Sequence, residues 1–248
     1  MPTDHVVLGQ FVNASIVRTT QGVVVIDTAA TKEEAEEVYS EATRQGKVLF
    51  VINTHEHFDH LAGNSLFSCP IISSGRARKE MKKSPQLDTI ALPTITFDKT
   101  LTLHLGERVE VTHFGGHCLG ASVVYFPERR LLFVGDLVFN GRVPYIGVAD
   151  FTTWIDALRE LETWDADIVV PGHGPVGGKD ILVAQRLWLE TFVERVRALS
   201  ATGLAHEDIF TALLNHYTVI PRWHPMLHSA ISTILSKELS NIAYDFKL

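Results

Sequence analysis

Asn53 to Gly63 reads Asn-Thr-His-Glu-His-Phe-Asp-His-Leu-Ala-Gly and places His55, His57, Asp59 and His60 within six residues. Imidazole and carboxylate together are the donor set that suits zinc and other borderline first-row cations. In an extended segment His55 and His57 point the same way, because side chains repeat every second residue. Asp59 and His60 fall one step further on, where the chain must turn. The segment therefore offers two donors to one ion and two to a neighbour. A lone surface histidine is usually just solvated, and the chain has twelve histidines. Four donors crowded behind an apolar strand do not fit that account. Packing needs none of them, and burying them unpaired costs free energy.

Three further polar residues follow apolar runs elsewhere. His117 lies in Gly115-Gly116-His117-Cys118-Leu119-Gly120, where glycines permit a close backbone turn. Asp136 follows Leu131-Leu132-Phe133-Val134-Gly135, and His173 follows Val169-Val170-Pro171-Gly172. Each alone is common turn chemistry. Strand ends converging on one rim are how open sheets build their sites, and the joint pattern is what carries weight.

The elements that must position these residues can be read from periodicity and turn chemistry. Ala14 to Thr20 and Gly22 to Asp27 read as two strands, the second apolar throughout and so central. Thr31 is a fitting N-cap for a helix whose first turns carry Glu33, Glu34, Glu36 and Glu37, and whose inward stripe is Ala35, Val38, Tyr39 and Ala42. The strand Val48 to Ile52 then leads into the metal segment, which gives a strand–helix–strand unit. Pro70 to Ser73 reads as a short strand, Gly75 to Lys83 as a basic surface helix whose cations form a solvated face, and Ser84 to Pro93 as loop. Strands are expected at 101–105, 108–113, 121–126, 131–134 and 168–170. A helix is expected at 152–163, a long one at 179–199, and two shorter ones near 207–214 and 226–237. With no low-complexity linker, the chain reads as one domain over 1–248, a core to about 178 followed by a helical extension.

Length and composition bound the remaining choices. A chain of 248 residues with 46% apolar and 21% charged residues has the balance of a soluble globular protein with a substantial core. No apolar run reaches the length of a membrane span. The N-terminal stretch lacks the layout of a signal peptide, so the cytoplasm is the expected compartment. Cys69 and Cys118 form no CxxC pair and read as two small thiols. A net charge of −7 argues against a nucleic-acid partner. A small-molecule substrate is expected, with neither nucleic acid nor membrane as partner.

The set His55-x-His57-x-Asp59-His60, followed by His117, Asp136 and His173, resembles the metallo-β-lactamase superfamily over residues 14 to about 176. The resemblance implies an α/β fold, an αβ/βα sandwich of two mixed sheets flanked by helices, with a dinuclear metal site on the sheets' shared edge. By position it implies that His55, His57 and His117 hold one ion and that Asp59, His60 and His173 hold the other, with Asp136 bridging. Two divalent ions are expected, zinc by default, with Fe(II) and Mn(II) also suiting the donors. Antibiotic-hydrolysing members have cysteine or serine where Asp136 stands, so β-lactamase activity is expected to be weak. Flavin-linked members have glutamate in place of His57.

The expected activity is hydrolysis of a small carbonyl ester, a thioester or lactone, by activated water, with Asp59 orienting that water and accepting its proton. The alternatives are a phosphodiesterase using the same ions and an iron-dependent persulfide dioxygenase. Phe58, Tyr145 and Ile146 are candidates for an apolar wall. The cluster from Tyr217 to Pro225 together with His228 has three readings: it closes the pocket, buries the face of a homodimer, or does neither. Arg186, Arg195, Arg197 and Arg222 show no spacing suited to gripping a peptide moiety.

Overall fold

The computed structural model describes residues 5–9, 11–85, 89–217, 221 and 224–245. Its first sheet has six strands in the order of the chain: β1 (His5–Leu8), β2 (Ala14–Arg18), β3 (Val23–Ile26), β4 (Val48–Ile52), β5 (Ile71–Ser74) and β6 (Ile95–Phe97). The second has five strands, β7 (Thr100–His104), β8 (Arg108–His113), β9 (Ser122–Phe126), β10 (Leu131–Phe139) and β11 (Ile168–His173), with β10 between β9 and β11. The helices are α1 (Lys32–Gln45), α2 (Gly75–Met81), α3 (Phe151–Thr163), α4 (Asp180–Ala201), α5 (His206–Leu214) and α6 (His224–Asp245).

β3 pairs parallel with β4 through the α1 crossover, as the strand–helix–strand pattern predicts. The Thr31 hydroxyl caps α1 by accepting from Glu34 N at 3.2 Å. Ala35, Val38 and Ala42 are buried, but Tyr39 is 39% exposed, so it lies off the inward stripe and packs edge-on to Phe67.

β3 is buried on both faces, which explains its unbroken Val-Val-Val-Ile. Val24 and Ile26 join Ile52, Val111, Phe126 and Phe133 in the core between the sheets, while Val23 and Val25 pack with Val38 and Ala42 beneath α1. The outer face of the second sheet, including Leu132 and Val134, packs on Trp154, Leu158, Leu182 and Phe192 from α3 and α4. The layers run helix, sheet, sheet, helix, with α5 and α6 joining the α3–α4 side.

Several boundaries differ from the sequence expectation. β10 continues to Phe139, so Asp136 stands inside a strand rather than after one. The cause is Gly135, whose φ of +49° lets the pairing with β11 shift register without ending the strand. The short strands β1 and β6 lie at the edges of the first sheet, where little pattern marks them. α2 stops at Met81, and α6 starts earlier and runs further than expected. No described helix is long and apolar enough to cross a membrane.

Candidate metal centre

β4 ends at Ile52, and the chain leaves the sheet through Asn53 and Thr54 into a single 3-10 turn, Phe58–His60. This places His55, His57, Asp59 and His60 at the edge of the first sheet. The second sheet supplies His117 from the β8–β9 connection, Asp136 from within β10 and His173 as the last residue of β11. All seven donors predicted from sequence come together there. His55, His57, His117 and Asp136 form one group, and Asp59, His60 and His173 another, each with donor atoms within 4.8 Å of one another.

Asp136 lies between the groups and offers one oxygen to each. Its Oδ2 is 3.6 Å from His55 Nε2 and 3.5 Å from His117 Nε2. Its Oδ1 is 3.0 Å from His60 Nε2 and 3.3 Å from His173 Nε2. His57 Nδ1 is 3.1 Å from His117 Nε2, and Asp59 Oδ2 is 3.6 Å from His173 Nε2. Despite these distances, His55 Nε2, His60 Nε2 and Asp136 Oδ1 are buried without a well-formed hydrogen bond. Buried polar atoms are rarely left so, and converging orphan nitrogens and oxygens suit a cation.

A residue that sequence reading missed fixes several of these orientations. Asp27 Oδ2 accepts from His60 Nδ1 at 2.8 Å and from the Thr54 hydroxyl at 2.7 Å, and its Oδ1 accepts from Thr54 N at 2.8 Å. Because the Thr54 hydroxyl donates to Asp27, its oxygen must accept from His55 Nδ1 at 3.0 Å. His173 Nδ1 likewise donates to the Phe11 carbonyl at 2.8 Å. The Nδ1 of His55, His60 and His173 is thus committed to an outer partner, and Nε2 is the nitrogen each ring turns towards the centre. Asp27 adopts φ +57°, a conformation uncommon outside glycine, immediately after the all-apolar β3. A polar residue ending an apolar strand was the signal that identified His117 and His173, and it applies to Asp27 as well.

The electrostatics follow from crowding in a dry site. Burial pushes the His57 pKa down to about 3, helped by its neighbour His55, and burial also holds His117 well below the ordinary imidazole range. His60 behaves oppositely: burial disfavours its charge, but the carboxylates of Asp136, Asp27 and Asp59 outweigh this and hold its pKa well above the usual value. Burial likewise works against charge on Asp136, yet His60, His173 and His55 keep its pKa well below that of a free carboxylate. In the metal-free chain His60 and Asp136 are therefore a buried ion pair that a bound cation would supplant.

Close backbone approaches hold the frame. A Cβ at Gly172 would collide with Asp136 Oδ1, and one at Gly116 would sit 2.6 Å from Trp154 Cα. Trp154 backs the His117 ring edge-on at 5.1 Å and is itself anchored by its indole N–H to the Leu137 carbonyl. Glu56 ties the two halves of the rim by accepting from Gly120 N at 3.1 Å. Gly172→Ala should displace the Asp136 carboxylate at a cost of about 1–3 kcal/mol in stability. Thermal unfolding together with metal content checks this; an unchanged pair of values would show that the strand yields freely.

The exposed apolar side chains that touch a donor ring or lie within three residues of a donor are Phe11, Phe58, Leu119, Tyr145 and Val176. Phe11 touches His173 edge-on at 5.0 Å, and Tyr145 touches His57 at 5.6 Å. Phe58, Leu119 and Val176 follow His57, His117 and His173 by one to three residues. Ile146 is 2% exposed and belongs to the core, so it does not form the expected wall. Tyr217 packs on Trp188 and Phe192, while His224 and His228 pack on Phe210. Thr218, Val219, Ile220, Arg222 and Trp223 of the predicted cluster lie outside the described residues. The Ser229 hydroxyl of α6 donates to the Gly147 carbonyl at 2.7 Å, a tie between the tail and the loop that follows Tyr145. Arg186 is paired with Glu162 and Glu190, and Arg195 covers the Tyr217 ring.

A sequence profile described as the Metallo-beta-lactamase superfamily matches residues 7–173. The human acyl-coenzyme A thioesterase MBLAC2 is 26% identical over 205 residues, covering 66% of this chain and 74% of the relative. A type 2 metallo-beta-lactamase from Bacillus sp. (strain 170) is 28% identical over 188 residues, covering 69% and 70%. Among solved structures, a metallo-beta-lactamase from Pontibacter korlensis superposes with a TM-score of 0.67 at 26% identity, covering 77% of this chain and 96% of the other.

Proposed function

This chain belongs to the metallo-beta-lactamase superfamily, and on that footing we propose that it is a hydrolase of acyl thioesters carrying two divalent ions, zinc by default. His55, His57 and His117 would hold one ion, Asp59, His60 and His173 the other, and Asp136 both. Such ions lower the pKa of coordinated water from 15.7 to roughly 7 and polarise a substrate carbonyl. The observation that carries the reading is the division of the two Asp136 oxygens between two donor groups, with the exposed Phe11 and Tyr145 rings set against His173 and His57.

The residues of the chain divide the remaining work. The imidazoles of both groups are committed as donors, so none is free to protonate a leaving group. Asp59, whose side chain is 33% exposed, is the carboxylate placed to orient the attacking water and take its proton. A leaving group that departs without a proton fits this division, and a thiolate, with a pKa near 8.5, is one. Phe11, Leu119 and Tyr145 offer the acyl chain an apolar bed. A human relative that is an acyl-coenzyme A thioesterase supports the same choice.

The test is a panel of acyl-CoA thioesters, lactones, phosphodiesters and β-lactams against the metal-loaded chain, followed by free thiol and product. Thioesters should give the highest kcat/KM. Leu119→Ser and Tyr145→Ala should each raise KM for a long acyl chain about tenfold, the worth of roughly 1.5 kcal/mol of apolar contact. Preferential phosphodiester cleavage, or oxygen uptake on adding a persulfide, would replace this reading.

A further inference from the structure

Outside the centre described above, one group of described residues brings imidazole and carboxylate donors together: His206 and Glu207 at the start of α5, and His228 in α6. We propose that these three form a separate site for a divalent transition ion such as zinc or nickel, which clamps α5 to α6.

The donor geometry is the first support. Glu207 Oε1 lies 4.0 Å from His206 Nδ1 and 3.9 Å from His228 Nδ1, and all three donors fall within 4.8 Å of one another. Tetrahedral zinc with bonds of about 2.0–2.2 Å sets two ligands of one ion roughly 3.3–3.6 Å apart, a few tenths of an ångström less than these separations. The 79% exposed Glu207 side chain needs only a small rotation to close that gap.

The second support is the orientation that the surroundings impose on the His206 ring. Its Nε2 lies 3.1 Å from the Ser232 hydroxyl and 3.3 Å from the His228 carbonyl. A carbonyl oxygen can only accept, so Nε2 is the nitrogen that donates to these outer partners, and Nδ1 is the one left facing Glu207. An imidazole that donates through one nitrogen to an outer partner and binds through the other is the usual arrangement of a metal ligand.

The rings are also held in place before any ion arrives. His228 stacks on Phe210 at 3.7 Å, and His206 stacks on His228 at 5.2 Å with only 8° between the planes. Ordering the two ligands therefore costs little on binding. Both imidazoles are 33% exposed, so the ion reaches them from solvent and keeps open positions for water. Two nitrogens and one oxygen favour zinc, nickel or copper over calcium or magnesium. Neither helix supplies a donor to the centre described above, so this site stands or falls independently of that reading.

The experiment uses the full-length chain, stripped of metal and titrated with zinc alone, with bound equivalents and melting temperature recorded together. The wild-type chain should bind one equivalent more than Glu207→Ala and His228→Ala and should gain more in melting temperature at saturation. Ser232→Ala should keep that equivalent but bind it about tenfold more weakly, as expected for losing an outer partner of a ligand. Thioester hydrolysis should be the same in all four chains. Should His228→Ala fail to fold, Glu207→Ala and Ser232→Ala, both changes at exposed side chains, carry the decision. Equal stoichiometry and equal affinity in wild type and Glu207→Ala would overturn the proposal.

Discussion

Replacing Asp136 with alanine should abolish hydrolysis by about a thousandfold or more and remove at least one bound ion per chain. The scale follows from the chemistry, since losing a single electrostatic partner of a transition state already costs about 10²–10³ in rate. Asp136 serves both donor groups through different oxygens, so both lose a ligand at once. Asp136→Asn keeps the shape and forfeits the charge; it should fall between alanine and wild type in metal content. Metal analysis and turnover on the same preparation decide the matter: full activity with one ion per chain would exclude the two-ion scheme.

The same substitution has a signature in the absence of metal. A raised His60 pKa contributes stability that is fully present below its ordinary value of 6.5 and is lost as pH rises through the folded value. A depressed Asp136 pKa contributes stability present above its ordinary value of 3.8 and lost as pH falls through the folded value. The pair therefore stabilises the metal-free fold most between these two ordinary values. The destabilisation of Asp136→Ala, followed by urea unfolding against pH, should peak in that window. A flat difference across pH would show that the pair contributes nothing before an ion binds.

Asp27→Ala should be the second most damaging change, although this side chain is placed to orient ligands rather than to be one. It strands three buried donors, His60 Nδ1, Thr54 N and the Thr54 hydroxyl. Leaving buried groups unsatisfied costs about 1–3 kcal/mol each. Releasing the orientation of His60 and, through Thr54, of His55 should weaken metal binding about 10–100-fold. Asp27→Asn retains an acceptor oxygen and tolerates the left-handed backbone, and should recover part of the stability and less of the metal affinity. Wild-type melting and metal binding in Asp27→Ala would show that Thr54 and His60 are held by other means.

The seven donors were legible because each interrupts or closes an apolar run, and packing alone gives a run of valine and isoleucine no reason to end in histidine. Spacing suggested the two-and-two division of His55, His57, Asp59 and His60, but not which group His117, Asp136 and His173 join. The assignment of those three came from family resemblance, and the structure adds the division of the Asp136 oxygens. Asp27 escaped notice because a lone aspartate after a strand looks like an ordinary turn. Only the fold brings Thr54 and His60 to it. The continuation of β10 past Asp136 was hidden by Gly135, which reads as a strand terminator but here allows a register shift. Ile146 and Tyr145 were interchangeable as sequence neighbours, and packing against the second sheet's helices sent one inward and left the other at the mouth.

Each donor group draws on both sheets: the first sheet's edge gives two histidines to one group and an aspartate and a histidine to the other, while the second sheet completes both. Neither half of the polypeptide thus owns a working set of tools. A copy whose sheets have not yet met, or have slipped against each other, is chemically silent instead of carelessly reactive, and catalysis becomes a certificate that assembly was finished.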